Sequence, residues 1–335
     1  MKKVALIDTA HWHVPLYLEA LERAAVEVVG VSDPTGTTGT ALAKRFQARS
    51  FETCEELVSQ VRPDVAFVFG RHIDMPKTAN FLLDQGIPIA IEKPCGIRSA
   101  DVRQLAEKAS RQRAFVAIPF IFRLSETMDV FRNAEALGRT DHASFRFIAG
   151  PPSRYLQAGN PWMLEREVAG GGPLINIGVH MVDMFRSLSG SEITTVSALS
   201  TSHINNLSIE DFIAITLKSA SGTIGTIECG YTFPSAPGRQ REFTFSVRAG
   251  KRFLRSINDG IDVVTGNETG VEQEFLPVEF ETDLYYAKFV EHVLEALEKK
   301  TPTIADFGDA ARVLEVVEAA YTSAAEGGRT IHLSN

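Results

Sequence analysis

The stretch "ALIDTAHWHVPLYLEAL" (5–21) has the outline of a phosphate-binding turn: a short apolar strand, a turn, and a helix with Pro15 in its opening turn. Glycines permit a tight backbone and a close pyrophosphate, so a dinucleotide turn reads G-x-G-x-x-G. Here Asp8, Ala10 and His13 hold the three glycine places. Ala10 is small enough to be tolerated. Asp8 brings a negative charge towards two phosphates unless it points away, and His11 and His13 offer donors in compensation. A helix N-terminus attracts anions whatever its side chains. Thr9, Ala10, His11, Trp12 and His13 are therefore expected at a cofactor pyrophosphate, with His13 the nearest side chain. His11-x-His13 with Asp8 also reads as a metal set. No further clustered ligands follow it, and no metal site is expected.

A second chemical signal follows 20 residues beyond His13, at Asp33 in "GVSDPTG". A carboxylate at the end of the second strand hydrogen-bonds a ribose and repels a 2′-phosphate, which favours NAD over NADP. The plainer reading of Asp33 is a cap before Pro34.

Such a site needs a parallel sheet to carry it. The strands "VALI" (4–7), "VEVVGV" (26–31), "VAFVF" (65–69), "IAI" (89–91) and "FVAI" (115–118) are mostly continuous apolar runs, as in strands buried on both faces. Helical segments at 15–25, 39–47, 77–85 and 99–112 separate them, Ser99 being placed to cap the last. From "ASFRFIAG" (143–150) the strands alternate and follow one another directly, with hairpin turns at 221–222 and 249–251. One helix near 173–189 precedes this sheet and two follow it. The expected fold class is α/β: a doubly wound Rossmann domain over residues 1–122, then an α+β domain over 123–335 on an open, mostly antiparallel sheet. The last helices are free to pack back on the first domain.

Composition narrows the function. The chain has 335 residues, is 44% hydrophobic and carries a net charge of −8. An acidic surface disfavours a nucleic-acid partner, and no apolar run approaches membrane-spanning length. Three cysteines without a C-x-x-C pair point to a reduced, cytoplasmic chain.

"IEKPCG" (91–96) and "AGGGPLINIGVHMVDMFRSLSG" (169–190), together with "SDP", resemble the glucose–fructose oxidoreductase and inositol dehydrogenase (Gfo/Idh/MocA) family over nearly the whole chain. The resemblance implies hydride transfer between nicotinamide and an alcohol carbon of a sugar, sugar acid or cyclitol. It makes Lys93 the catalytic lysine, with a Lys93–Pro94 bond that is often cis. It makes His180 the histidine of the G-x-H segment, and it puts Glu92, Lys93, Pro94, Gly70 and Arg71 on the cofactor side. The sequence departs from the family in its glycine turn, in Asn176 where aspartate is common, and in "FGRHIDMP", where Gly70, Arg71 and Met75 replace threonine, proline and histidine.

Oxidising an alcohol releases a hydride, which nicotinamide takes, and a proton, which the protein must take. His180 is assigned as proton acceptor and Lys93 as the cation holding the oxygen, the reverse assignment staying open. Asn176, one helical turn before His180, orients a hydroxyl. Arg123, Arg154 and Trp162 are candidates for the substrate side, against plain surface arginines and a core tryptophan. The competing functions are a lyase or glycoside hydrolase that uses bound NAD transiently, and a non-catalytic dinucleotide- or sugar-binding sensor. The alternating face of the open sheet leads to a homodimer or homotetramer.

Overall fold

The computed structural model describes residues 1–135, 138–234 and 241–334. Two units emerge: residues 1–121, 155–170 and 283–311 form the first, and residues 122–154, 171–282 and 312–335 the second.

In the first unit six parallel strands lie in the order β3-β2-β1-β4-β5-β6. They are β1 (Lys2–Ile7), β2 (Val26–Ser32), β3 (Arg49–Phe51), β4 (Val65–Val68), β5 (Ile89–Ile91) and β6 (Val116–Ala117). The crossovers are α1 (Pro15–Arg23), α2 (Gly39–Phe46), α3 (Cys54–Gln60), α4 (Met75–Asp84) and α5 (Ser99–Gln112). Val4 to Ile7 and Val65 to Val68 are essentially inaccessible, which explains their unbroken apolar runs. The strand order reverses between β1 and β4, and ligands of such sheets bind at that switch point, outside the strands' carboxyl ends. Ser99 is the first helical residue of α5 and Arg98 its N-cap, one residue earlier than expected.

The second unit holds α6 (Glu126–Glu135), β7 (Thr140–Ala149) and the start of α7 (Ser153–Gln157), whose chain then runs through α8 (Arg166–Ala169) in the first unit. It resumes with α9 (Val179–Ser189) and the strands β8 (Ile193–Thr201), β9 (Phe212–Ser219), β10 (Ile224–Gly230), β11 (Arg241–Ala249), β12 (Arg252–Ile257), β13 (Gly260–Asn267) and β14 (Gly270–Pro277). After α10 (Leu284–Lys299) in the first unit, α11 (Phe307–Ala325) crosses into the second, which β15 (Ile331–His332) completes. The sheet order is β14-β13-β12-β11-β7-β10-β9-β8-β15, antiparallel except for the β7–β10 pair. One face of β9 and β10 is buried and the other open, the alternation seen in their sequence. Gly225 leaves room for the Phe185 ring of α9, which a Cβ would meet at 2.5 Å.

Candidate active site

The turn after β1 solves its missing glycine with an aspartate. Asp8 has φ +55°, in the left-handed region that aspartate tolerates better than most side chains. Its Oδ2 accepts from Thr78 Oγ1 (2.9 Å), and its N–H donates to Ser32 Oγ (3.1 Å). Burial raises its carboxyl to about 6, against the opposing hydrogen bond from Thr78. Asp8 and Ala10 line a cavity of about 380 Å³ with Pro34, Thr35, Gly70, Arg71, Lys77 and Thr78. That cavity lies at the carboxyl ends of β1, β2 and β4, at the switch point. A larger hollow, about 990 Å³, lies by the end of α5 and the α10–α11 connection, away from these strand ends.

His11 and His13 turn inward. Both are buried, and His13 Nδ1 lies 3.1 Å from Glu92 Oε2. The Tyr286 hydroxyl approaches the same ring at 3.1 Å from Nδ1. Glu92 Oε1 accepts from Tyr17 (2.5 Å). His11 Nδ1 accepts from the His13 N–H (3.1 Å), and burial keeps His11 neutral by pushing its pKa well down. Within the turn the N–H groups of Thr9, Ala10 and Val14 also bond inside the chain, to Ser32, Asp8 and His11 carbonyls. Trp12 packs edge-on to Tyr155, and Trp162 donates its indole N–H to the Ala10 carbonyl (3.0 Å), so it braces the turn.

Asp33 sits at the end of β2 and both its oxygens serve the following loop. Oδ1 accepts from the Thr35 N–H and hydroxyl (2.9 and 2.6 Å), and Oδ2 from the N–H groups of Thr38 and Gly39 (2.7 and 2.9 Å). Burial opposes ionisation, but these donors outweigh it and hold the carboxyl below its usual range.

Glu92, Lys93 and Pro94 follow β5, and the Lys93–Pro94 bond is cis. Lys93 is among the largest fully buried side chains, close enough to His11 and His72 for its charge to lower both. Arg71 pairs with Asp74 at 2.6 Å.

In the second unit Gly171 and Gly172 form a pinned turn rather than a loose one. Gly171 has φ +153°, and a Cβ there would meet the Tyr321 hydroxyl at 2.0 Å. The buried Glu210 carboxylate accepts from the N–H groups of Gly172 (3.0 Å) and Leu174 (3.1 Å) and from Tyr321 (2.8 Å). It caps a π-helical turn, Leu174–Gly178, that leads into α9. Asn176 lies in that turn and donates to the Tyr231 hydroxyl (2.9 Å). His180 lies one turn on, its ring 5.6 Å from that of Phe122. Arg154 stands over the Tyr231 ring at 5.3 Å. Arg123 is held by Asp183 in a two-point pair (2.8 and 2.5 Å), with Arg186 also near that carboxylate. Asn176, Tyr231 and Arg154 thus form one polar group, while Arg123 serves α9.

Sequence reasoning missed Tyr17, His72, Glu210, Tyr231, Tyr286 and Tyr321. His72 had a signal, since "FGRHIDMP" opens right after β4. The tyrosines act through contacts between segments far apart in sequence, and no local pattern marks them.

Residues 7–120 match the oxidoreductase family with an NAD-binding Rossmann fold, and residues 130–251 match the GFO/IDH/MocA C-terminal domain. The rhizopine catabolism protein MocA of Rhizobium meliloti is 27% identical over 226 residues, 64% of this chain and 67% of that one. The trans-1,2-dihydrobenzene-1,2-diol dehydrogenase of Mus musculus is 23% identical over 219 residues, 63% of this chain and 62% of the relative, just under two thirds of its length. An oxidoreductase from Agrobacterium radiobacter, solved in complex with NAD+, L-tartaric acid and magnesium, superposes with a TM-score of 0.85 at 17% identity, covering 99% of this chain and 98% of that one. Among the described residues no helix is long and apolar enough to cross a membrane. With both its Rossmann domain and its C-terminal domain matched, the chain belongs to the GFO/IDH/MocA family of oxidoreductases.

Proposed function

We propose that the chain is an NAD-dependent dehydrogenase that moves a hydride between nicotinamide and an alcohol carbon of a sugar, sugar acid or cyclitol. The observation that carries this reading is the cavity at the β1–β4 switch point, lined by the turn, by Thr35 after β2 and by Gly70 and Arg71 after β4. The dinucleotide lies there, with its pyrophosphate at residues 9–14. When bound, the nicotinamide supplies the hydride chemistry. Lys93, at the end of β5, holds the reacting oxygen by its charge. His180 takes the alcohol proton. Asn176, with one amide hydrogen committed to Tyr231, orients a substrate hydroxyl. The diol dehydrogenase activity named for the mouse relative and the polyhydroxy acid bound by the Agrobacterium protein support alcohol oxidation on a polyol. The open face of the second sheet pairs with another copy, which gives a dimer or tetramer measurable by light scattering.

The test is a screen of sugars, sugar acids and cyclitols with NAD, read as NADH absorbance. Turnover with at least one class is expected. Dinucleotide binding without NADH formation on any of them leaves a sensor or an enzyme that re-reduces its bound NAD within one cycle, and no dinucleotide binding overturns the reading altogether.

A further inference from the structure

Behind the turn that replaces the glycine motif, metal-ligating side chains converge. His11 and His13 come from the turn itself and Glu92 from the end of β5, all three buried. One ligand atom from each lies within 4.8 Å of the other two. Glu92 has Oε1 fixed by Tyr17, while Oε2 makes no well-directed hydrogen bond although His13 Nδ1 is 3.1 Å away.

A histidine from a separate segment lies beside this set. The His72 ring centroid lies 5.9 Å from that of His11, and its Nδ1 is 2.8 Å from the Ala169 carbonyl. A carbonyl only accepts, so Nδ1 carries the ring proton and Nε2 a lone pair. That Nε2 is buried without a hydrogen bond, as is His11 Nε2. Buried polar atoms are ordinarily paired, and a histidine that donates one nitrogen to a carbonyl and keeps the other bare is oriented as metal-bound histidines are.

We propose that His11, His13 and Glu92 hold one divalent transition-metal ion of the zinc class, and that His72, beside His11 but outside the 4.8 Å set, turns in as the fourth ligand on binding. This replaces the metal-free reading of His11-x-His13 that the sequence favours. Imidazole nitrogens with a single carboxylate suit zinc, cobalt or nickel, whereas calcium and magnesium prefer oxygen donors. Ligation through His11 Nε2 moves that ring's proton to Nδ1 and ends the bond from the His13 N–H. The charge of Lys93 opposes the ion, and the Glu92 carboxylate offsets it. The ion ties the glycine-free turn to the end of β5, and none of its ligands lines the cavity of Asp8 and Ala10.

The experiment uses the untagged full chain, stripped with a chelator and titrated with zinc and then cobalt. One zinc per chain is expected to survive desalting and raise the melting temperature. Cobalt is expected to give the intense visible bands of a four-coordinate ion. His11→Asn and His72→Asn should each weaken cobalt binding about tenfold or more. No retained ion in the wild type, the pale spectrum of six-coordinate cobalt, or unchanged affinity in both variants overturns the proposal. The wild-type spectrum decides even if a variant does not fold. None of these readouts needs a dinucleotide, so the dehydrogenase reading stands or falls separately.

Discussion

Thr78 on α4 donates its hydroxyl to Asp8 Oδ2 across the switch point of the first sheet, 2.9 Å away. This bond holds a carboxyl where the family places a glycine, and the carboxyl is one that burial raises from 3.8 to about 6. Folding therefore favours the protonated form relative to the unfolded chain. Its stabilising contribution is fully present below pH 3.8 and is lost as pH rises through about 6, at roughly 3 kcal/mol for a two-unit shift. Asp8→Asn keeps a side chain that accepts φ +55° and removes the charge. It should raise stability at pH 8 by about 2 kcal/mol and change little at pH 4, by urea melts at both. NAD affinity should also rise in the variant at pH 8, since a negative charge leaves the pyrophosphate's neighbourhood. A variant no more stable at pH 8 than the wild type would mean that Asp8 is not strained by its charge.

Gly171 and Tyr321 make the second case. A methyl group at Gly171 meets the Tyr321 hydroxyl at 2.0 Å and forces a side chain onto φ +153°. Gly171→Ala should cost about 3 kcal/mol or more, from overpacking and backbone strain together. Tyr321→Ala removes the overlap but also a donor to Glu210. In the double variant the two costs should add to less than their sum, since contacting residues couple. Strict additivity in a double-mutant cycle would place the strain elsewhere.

These two positions also mark where the sequence was legible. The parallel strands could be read because burial on both faces writes an unbroken apolar run, and β9 to β11 because one-sided burial writes alternation. The strand β3 and helix α3 were missed, since a three-residue strand has no period. Yet "TCEE" carried a cap: Thr53 Oγ1 accepts from the Glu56 N–H (3.1 Å). The pair β13–β14 was missed because β14 is exposed almost throughout and its residues follow no burial pattern. The proposed catalytic residues Lys93 and His180 were read from short motifs. Glu210 under the Gly172 turn and Tyr231 against Asn176 join segments more than 30 residues apart, and only the fold brings those partners together.

Asp33 tests whether one carboxylate can serve both chain and cofactor. Backbone and hydroxyl donors from Thr35, Thr38 and Gly39 tie it to the α2 N-terminus. Asp33→Ala should cost about 1–2 kcal/mol of stability, as a lost N-cap does. If the dinucleotide binds as proposed, this carboxylate faces the 2′ position and repels a phosphate there, so the wild type should bind NAD more tightly than NADP. Asp33→Asn should narrow that preference while keeping part of the cap. Equal or tighter NADP binding by the wild type, in a titration of both cofactors, would reduce Asp33 to its structural role.

Asn176 and His180 carry the proton chemistry of the proposed reaction. Asn176 lies one helical turn before His180, in the π-helical turn that Glu210 caps, and its amide is neutral. Asn176→Asp adds a negative charge within reach of the imidazole. An opposite charge at that range favours the protonated ring, by roughly one pH unit or more where solvent is partly excluded. If His180 is the base, its deprotonated form then becomes available only at higher pH. The acidic limb of kcat/KM for alcohol oxidation, which reports groups of the free enzyme, should move up in the variant. Lys93→Ala should instead lower kcat by about a hundredfold or more at every pH, because it removes the cation that stabilises the reacting oxygen. The two effects separate the roles: one displaces a pH profile, the other lowers its plateau. A pH–rate series on the wild type and both variants measures them. An unmoved acidic limb in Asn176→Asp, with substantial activity in Lys93→Ala, would transfer the proton to some other group and leave His180 as a packed histidine beside Phe122.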